Sequence, residues 1–212
     1  MQITAETRLT RLNIFTGRYA SSITFKITMA LAVAVLTGLM AQLRLPLPFT
    51  PVPVTGQTLA VLLAGVLLGR KWGGVSMGIY GVLGLAGVPW FSGSVAGFGA
   101  TTGYLVGFVL AAMFVGFVAD GGLKVRSFYG WLAVMVFSAI VLVYVPGAIW
   151  LGGWLGLVLH QPTTIGIVFG MGVAPFIAGC VLKAVLAAGA TWLILPKVSP
   201  VTQLDPLPPN HP

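Results

Sequence analysis

Long apolar runs alternate with short polar breaks along this chain, and the length of each run decides its reading. A hydrocarbon core about 30 Å thick is crossed by about 20 helical residues rising 1.5 Å each. The first run, from about Phe25 to Leu43, reaches that length. The second, Gln57 to Gly69, spans only roughly 20 Å as a helix, so neighbouring helices must shelter it. Further runs cover about Gly73 to Val88, Thr101 to Ala119 and Phe128 to Trp150. The last lies between Gly166 and Leu195, where Pro175 begins the regular part or kinks it. The pattern predicts an all-α integral membrane protein with six transmembrane helices.

Charge placement tests that count independently. With six spans and a cytoplasmic amino terminus, the inner segments hold Arg8, Arg11, Arg18, Lys26, Arg70, Lys71, Lys124, Arg126 and Lys197. The outer loops hold only Arg44. This alternation follows the positive-inside rule, and one missed or invented span would spoil it. Both termini are therefore expected in the cytoplasm. Residues 1–24 are polar and basic, and the apolar run behind them is too long for a signal-peptide core. They read as a cytoplasmic arm, residues 25–195 as the membrane domain, and the proline-rich segment 196–212 as a disordered tail.

Composition closes off other classes. The 212 residues are 58% hydrophobic and 7% charged, with a mean hydropathy of +1.02. A soluble domain carries about 25% charged residues, so a water-facing coat is missing. The net charge of +8 does not indicate a nucleic-acid partner, because the basic residues are scattered singly between apolar blocks. The single cysteine, Cys180, excludes an internal disulfide and every multi-cysteine metal motif.

Small residues at four-residue spacing mark faces where helices approach closely in lipid. Ala30, Ala34 and Gly38 form one such stripe, Gly74, Gly78 and Gly81 a second, and Gly103, Gly107 and Ala111 a third. The second and third are read as packing within the bundle. The first fits either internal packing or the docking of a partner protein. The outer loop from Arg44 to Gln57 has prolines at 46, 48, 51 and 53; proline fixes φ and extends the residue before it, so this connection is stiff and suited to capping a cavity. The stretch from Pro89 to Ala100 mixes aromatics, glycines and hydroxyls; such a loop can approach a ligand through backbone groups, while a turn at the lipid interface with Trp90 as anchor is the commoner arrangement.

Lys183 is the candidate functional residue that physics singles out. It lies far from both ends of the last span, where a lysine costs about 2.5–3.5 kcal/mol at mid-bilayer. No acid lies within a span to neutralise it, since the chain's only acids are Glu6, Asp120 and Asp205. It either snorkels to an interface or awaits an anion from outside the chain. Cys180 sits one turn earlier on the same face. Other chemistry is thin. Gly74–Gly78 matches a nucleophile-elbow pattern around Ser76, but within a helix rather than a strand-to-helix turn. Gly65–Lys71 falls one residue short of a phosphate-binding loop. An enzyme is not expected, nor is a resident cofactor or metal.

The outer loop and last helix together resemble the BioY family, the biotin-specific S components of energy-coupling-factor (ECF) transporters. The similarity runs over about residues 27–195. It is carried by Ala41–Gly65 with its proline-rich loop, by Thr102–Phe108, by Tyr144–Leu151 and by the segment around Lys183. The resemblance implies an S-component-like bundle in a bacterial cytoplasmic membrane, with a biotin cavity open on the outer side. It also implies a transmembrane coupling subunit and two cytoplasmic ATPases as partners. Helix 1 of such proteins is similar to Ala30–Ala34, which turns the Ala30, Ala34 and Gly38 stripe toward partner docking.

On this reading Lys183 meets the ligand carboxylate, and Gln57, Thr102, Tyr104 and Tyr80 orient polar edges, with Gly103 beside them and Trp150 in the wall. The family usually has aspartate three residues before this lysine, and Cys180 stands there instead. A thiol is a weak donor and acceptor compared with a carboxylate, so Lys183 lacks an internal counter-ion. Two variants share the fold: an S component for another small vitamin, and a biotin transporter that works alone. A secondary transporter or pore would need paired intramembrane charges or an internal repeat, and neither is seen.

Overall fold

The computed structural model describes residues 22–194 apart from positions 94, 124, 126 and 162. Most of the expected amino-terminal arm and the whole 196–212 tail lie outside the described residues, as do six of the nine cations assigned to the inner side. Five helical stretches are long and apolar enough to cross a membrane. Ser22 starts the first by accepting the Phe25 N–H at 3.2 Å, which caps α1 (Ile23–Gln42). Large side chains such as Ile23, Ile27, Leu31 and Leu39 cover its outer face, and Ala30, Ala34, Thr37, Gly38 and Ala41 are buried. The Ser76 hydroxyl donates to the Ala30 carbonyl at 2.7 Å, and Gly38 lies against Trp90. The Ala30, Ala34 and Gly38 stripe thus packs within the chain. Their small size lets α1 approach its own neighbour.

A short antiparallel ladder follows, pairing β1 (Arg44–Leu45) with β2 (Val54–Thr55). It closes the base of the proline-rich loop. Next comes α2 (Gln57–Leu85), 29 residues that would span about 43 Å if straight. They are not straight. Gln57 Nε2 donates to the Tyr80 hydroxyl at 2.7 Å, although 23 helical positions amount to about 34 Å. The chain reverses at Gly69, whose φ of 76° and ψ of −178° suit glycine alone. A β-carbon on Gly73 would stand 3.1 Å from the Gly65 α-carbon across the reversal. Asp120 fastens the turn by accepting the Arg70 N–H at 2.9 Å, at the positive end of the second arm. The break between the expected runs 57–69 and 73–88 is real but far tighter than a loop. The short first arm is sheltered, with Ala60, Val61, Leu62, Ala64 and Val66 all buried.

The third stretch, α3 (Thr102–Gly121), packs most extensively on α2. Glycines set these approaches: Gly65 against the Ala112 carbonyl, Gly116 against the backbone at Gly69 and Arg70, and Gly107 against Val143. Gly78, expected in a packing stripe, has nothing within 4 Å of its missing side chain. Helix α4 (Phe128–Leu157) extends beyond the expected Trp150. It contains a wide π-type turn over Ser138–Val143 just before Pro146. The proline lacks an N–H for the Leu142 carbonyl and crowds it, which explains the local widening. Helix α5 (Ile165–Ile194) breaks at a 3₁₀ turn, Ala174–Phe176, around Pro175 as the sequence predicts.

Candidate functional site

Where α2, α3, α4 and α5 meet beneath the β1–β2 loop, they enclose a cavity of about 60 Å³. Its apolar wall includes Phe91, Phe108, Val143 and Phe176, and its polar wall includes Thr55, Gln57, Tyr104, Tyr144 and Lys183. The loop contributes Val52 to Thr55. The Thr50 hydroxyl donates to the Met171 carbonyl at 2.7 Å, tying the loop to α5. Gly56 N–H bonds to the Met40 and Leu43 carbonyls at 3.1 and 3.0 Å, anchoring the other side.

Three of the expected binding residues line this space: Gln57, Tyr104 and Lys183. Tyr80 stands behind Gln57, held by the 2.7 Å bond between them, while Thr55 Oγ1 donates to Gln57 Oε1 at 2.8 Å. This chain fixes the orientation of the Gln57 amide. Tyr104 donates to the Gly172 carbonyl at 2.9 Å, its ring pressed on Gly147. Lys183 is half-buried on α5. Asp120, the one carboxylate among the described residues, sits at the Gly69 turn, an arm's length of about 18 Å from Gln57.

Other expectations are redirected. Cys180 is fully buried and does not line the cavity; its thiol lies against the Tyr144 side chain. Thr102 Oγ1 accepts the Gly99 N–H at 2.9 Å and trims the start of α3, and its neighbour Thr101 faces the cavity instead. Gly103 is the contact point for Trp150 and the Pro146 carbonyl, a packing task. Trp150 is 38% exposed and donates to the Gly99 carbonyl at 2.9 Å, so it supports the loop and not the wall. Trp90 packs inward, its indole 5.3 Å from the Tyr80 ring and donating to the Tyr80 carbonyl, which corrects the interface-anchor reading.

Tyr144, Phe176, Phe91 and Ser92 are wall residues that sequence reasoning left out. Tyr144 lies within a stretch already singled out, and Pro146 two positions on signals the irregular helix that aims it. Phe91 and Ser92 lie in the 89–100 stretch, which the sequence marks only for backbone approach to a ligand, and nothing in the local sequence marks Phe176.

The fold is that of a helical membrane bundle with a part-polar cavity beneath its proline-rich loop. The BioY family model matches residues 10–200, and the chain belongs to that family. It is 43% identical over 141 residues to the "Probable biotin transporter BioY" of Methanothermobacter thermautotrophicus, covering 64% of this chain and 88% of that one. It is 33% identical to the "Biotin transporter BioY" of Rhizobium etli, covering 75% and 86%. A crystal structure described as the S-component for biotin from an ECF-type ABC transporter shares the fold, with a TM-score of 0.66. That match covers 90% of this chain and 93% of the other at 23% identity.

Proposed function

We propose that this chain captures biotin at the outer face of the cytoplasmic membrane and carries it across as a transporter S component, without covalent chemistry. The observation that carries the reading is Lys183. A cation stands on the wall of an aromatic cavity whose lining contains no carboxylate, and a ligand bearing its own carboxylate supplies the missing charge. The sulfur-containing bicyclic ring would lie among Phe91, Phe108, Tyr144 and Phe176. The Arg44–Thr55 loop would act as the lid.

Orientation follows from the same parts. Arg70 and Lys71 adjoin the Gly69 turn, while the cavity lies at the opposite end of that arm. The positive-inside rule then puts the turn in the cytoplasm and the cavity outward. Counting the two arms of α2 separately yields six crossings with both termini inside. The chain has no phosphate-binding loop of its own, so a transmembrane coupling subunit and two cytoplasmic ATPases would supply the energy.

Equilibrium binding of labelled biotin, thiamine and riboflavin to the purified chain tests the substrate. Biotin should bind at least 100-fold more tightly than either; comparable binding of another vitamin would overturn the assignment. Uptake in cells lacking every coupling subunit then asks about the partners: loss of accumulation is expected, and undiminished uptake would refute their role.

A further inference from the structure

The Ser92 hydroxyl is left unexplained by the packing. Among the described residues it is the one buried side-chain oxygen or nitrogen without a hydrogen-bond partner, a costly arrangement that native proteins seldom keep without a use. Ser92 also lines the cavity. Its backbone is pinned on both sides. Phe91 N–H bonds to the Val95 carbonyl at 3.1 Å, and Gln42 Nε2 donates to the Trp90 and Phe91 carbonyls at 3.2 and 3.1 Å. Gly93, with φ of 88°, sits against the Arg44 guanidinium. The hydroxyl therefore has only rotation about its Cα–Cβ bond with which to seek a partner, and as it stands no surrounding side chain or backbone group pairs with it. The open side available to it is the cavity.

We infer that Ser92 is a specificity-determining residue that hydrogen-bonds the polar ring end of the ligand, while Lys183 on α5 takes the carboxylate. The inference rests on the biotin reading above. A cyclic urea presents N–H donors and a carbonyl acceptor, and a serine hydroxyl serves either. Thr55, Gln57 and Tyr80 are already engaged with one another, whereas Ser92 meets the ligand uncommitted.

The test titrates the purified chain with biotin and with an analogue that keeps the sulfur ring and valerate but lacks the urea. Ser92→Ala should weaken biotin binding about 5- to 10-fold and leave the analogue unchanged, the size of one net hydrogen bond. Ser92→Cys, which keeps volume but bonds weakly, should follow it. Without ligand, the melting temperature of Ser92→Ala should hold or rise, since an unpaired buried hydroxyl has been removed; a purely structural serine would lower it. Undiminished biotin affinity, or equal losses for both ligands, would overturn the assignment. If the wild-type chain binds the analogue as tightly as biotin, there is no urea contact to assign; if it binds neither, the biotin reading fails and takes this inference with it.

Discussion

Replacing Lys183 by alanine isolates the electrostatic half of the proposed recognition. Two unit charges about 4 Å apart attract by roughly 4 kcal/mol at an effective dielectric constant of 20. Lys183 is only half-buried, so part of that attraction is screened. Removing one partner of a buried charge pair costs about 2–5 kcal/mol, and partial exposure argues for the lower end. A loss of about 2–3 kcal/mol corresponds to roughly 30- to 150-fold in Kd. The assay is equilibrium binding of biotin and of biotin carboxamide, which keeps the rings and loses the charge. The wild-type chain should prefer the acid by that factor, and Lys183→Ala should abolish the preference. Lys71→Ala, exposed near the Gly69 turn, should leave both affinities intact. The unliganded Lys183→Ala chain should be no less stable, because a cation in hydrocarbon is itself unfavourable. An unchanged preference for the acid would show that the ammonium does not meet the carboxylate, and equal losses for acid and amide would assign Lys183 to packing.

Three further substitutions test the scaffold. Gly69→Ala forces a β-carbon into the Asp120 carboxylate at a φ of 76°, and should lower stability by about 2–4 kcal/mol in detergent unfolding; Gly78→Ala, with open space around it, should be neutral. Thr50→Val deletes the bond to the Met171 carbonyl, and should speed biotin release about 2- to 10-fold in a chase experiment. Ala34→Leu overfills the α1–α2 contact, and its melting temperature should fall with a loss of about 1–3 kcal/mol, even in the purified chain where no partner is present.

The parts of the molecule legible in the sequence are those where one local property dominates. Run length located the helices, the prolines announced a stiff outer loop, and the isolation of Lys183 marked the cavity wall. What stayed hidden depends on pairs far apart in the chain. The two cations at 70 and 71 signalled a break in α2. That the break is a single glycine follows only from Asp120, fifty positions later, reaching its carboxylate to the Arg70 N–H. Small-residue spacing reported that α1 makes a close contact, and it is silent on whether the contact is with the same chain. The burial of Ala30, Ala34 and Gly38 inside the bundle is visible only in the fold. Cys180 was tied to the site by its helical phase with Lys183 and by the family's aspartate position, whereas the wide turn and Pro146 in α4 bring Tyr144 against it.

The size of the cavity constrains how a ligand enters. Its about 60 Å³ falls well short of the roughly 300 Å³ at which small-molecule pockets begin, so a wall must move. The α2–α3 wall is a poor candidate. Gly65 and Gly116 bring two backbones into contact there, and separating them would open voids along a dense interface at several kcal/mol. The α4 wall is locked to α3 in the same way at Gly103 and Gly107. The proline-rich loop is held differently: by a two-residue ladder, the Gly56 N–H anchor, the Thr50–Met171 bond and the buried Val52 side chain, with Leu47 and Val54 packed beside it. At about 0.5–1.5 kcal/mol net for each hydrogen bond and about 1.5–3 kcal/mol for the buried Val52 side chain, lifting it costs several kcal/mol, comparable with the binding energy of a micromolar ligand. The prolines lower the cost of that motion, because a stiff loop swings as a unit and orders few residues on closing again. Stiffness and an attachment lighter than the backbone contacts of the helices are what the proposed lid requires of this loop, above the cation on the wall.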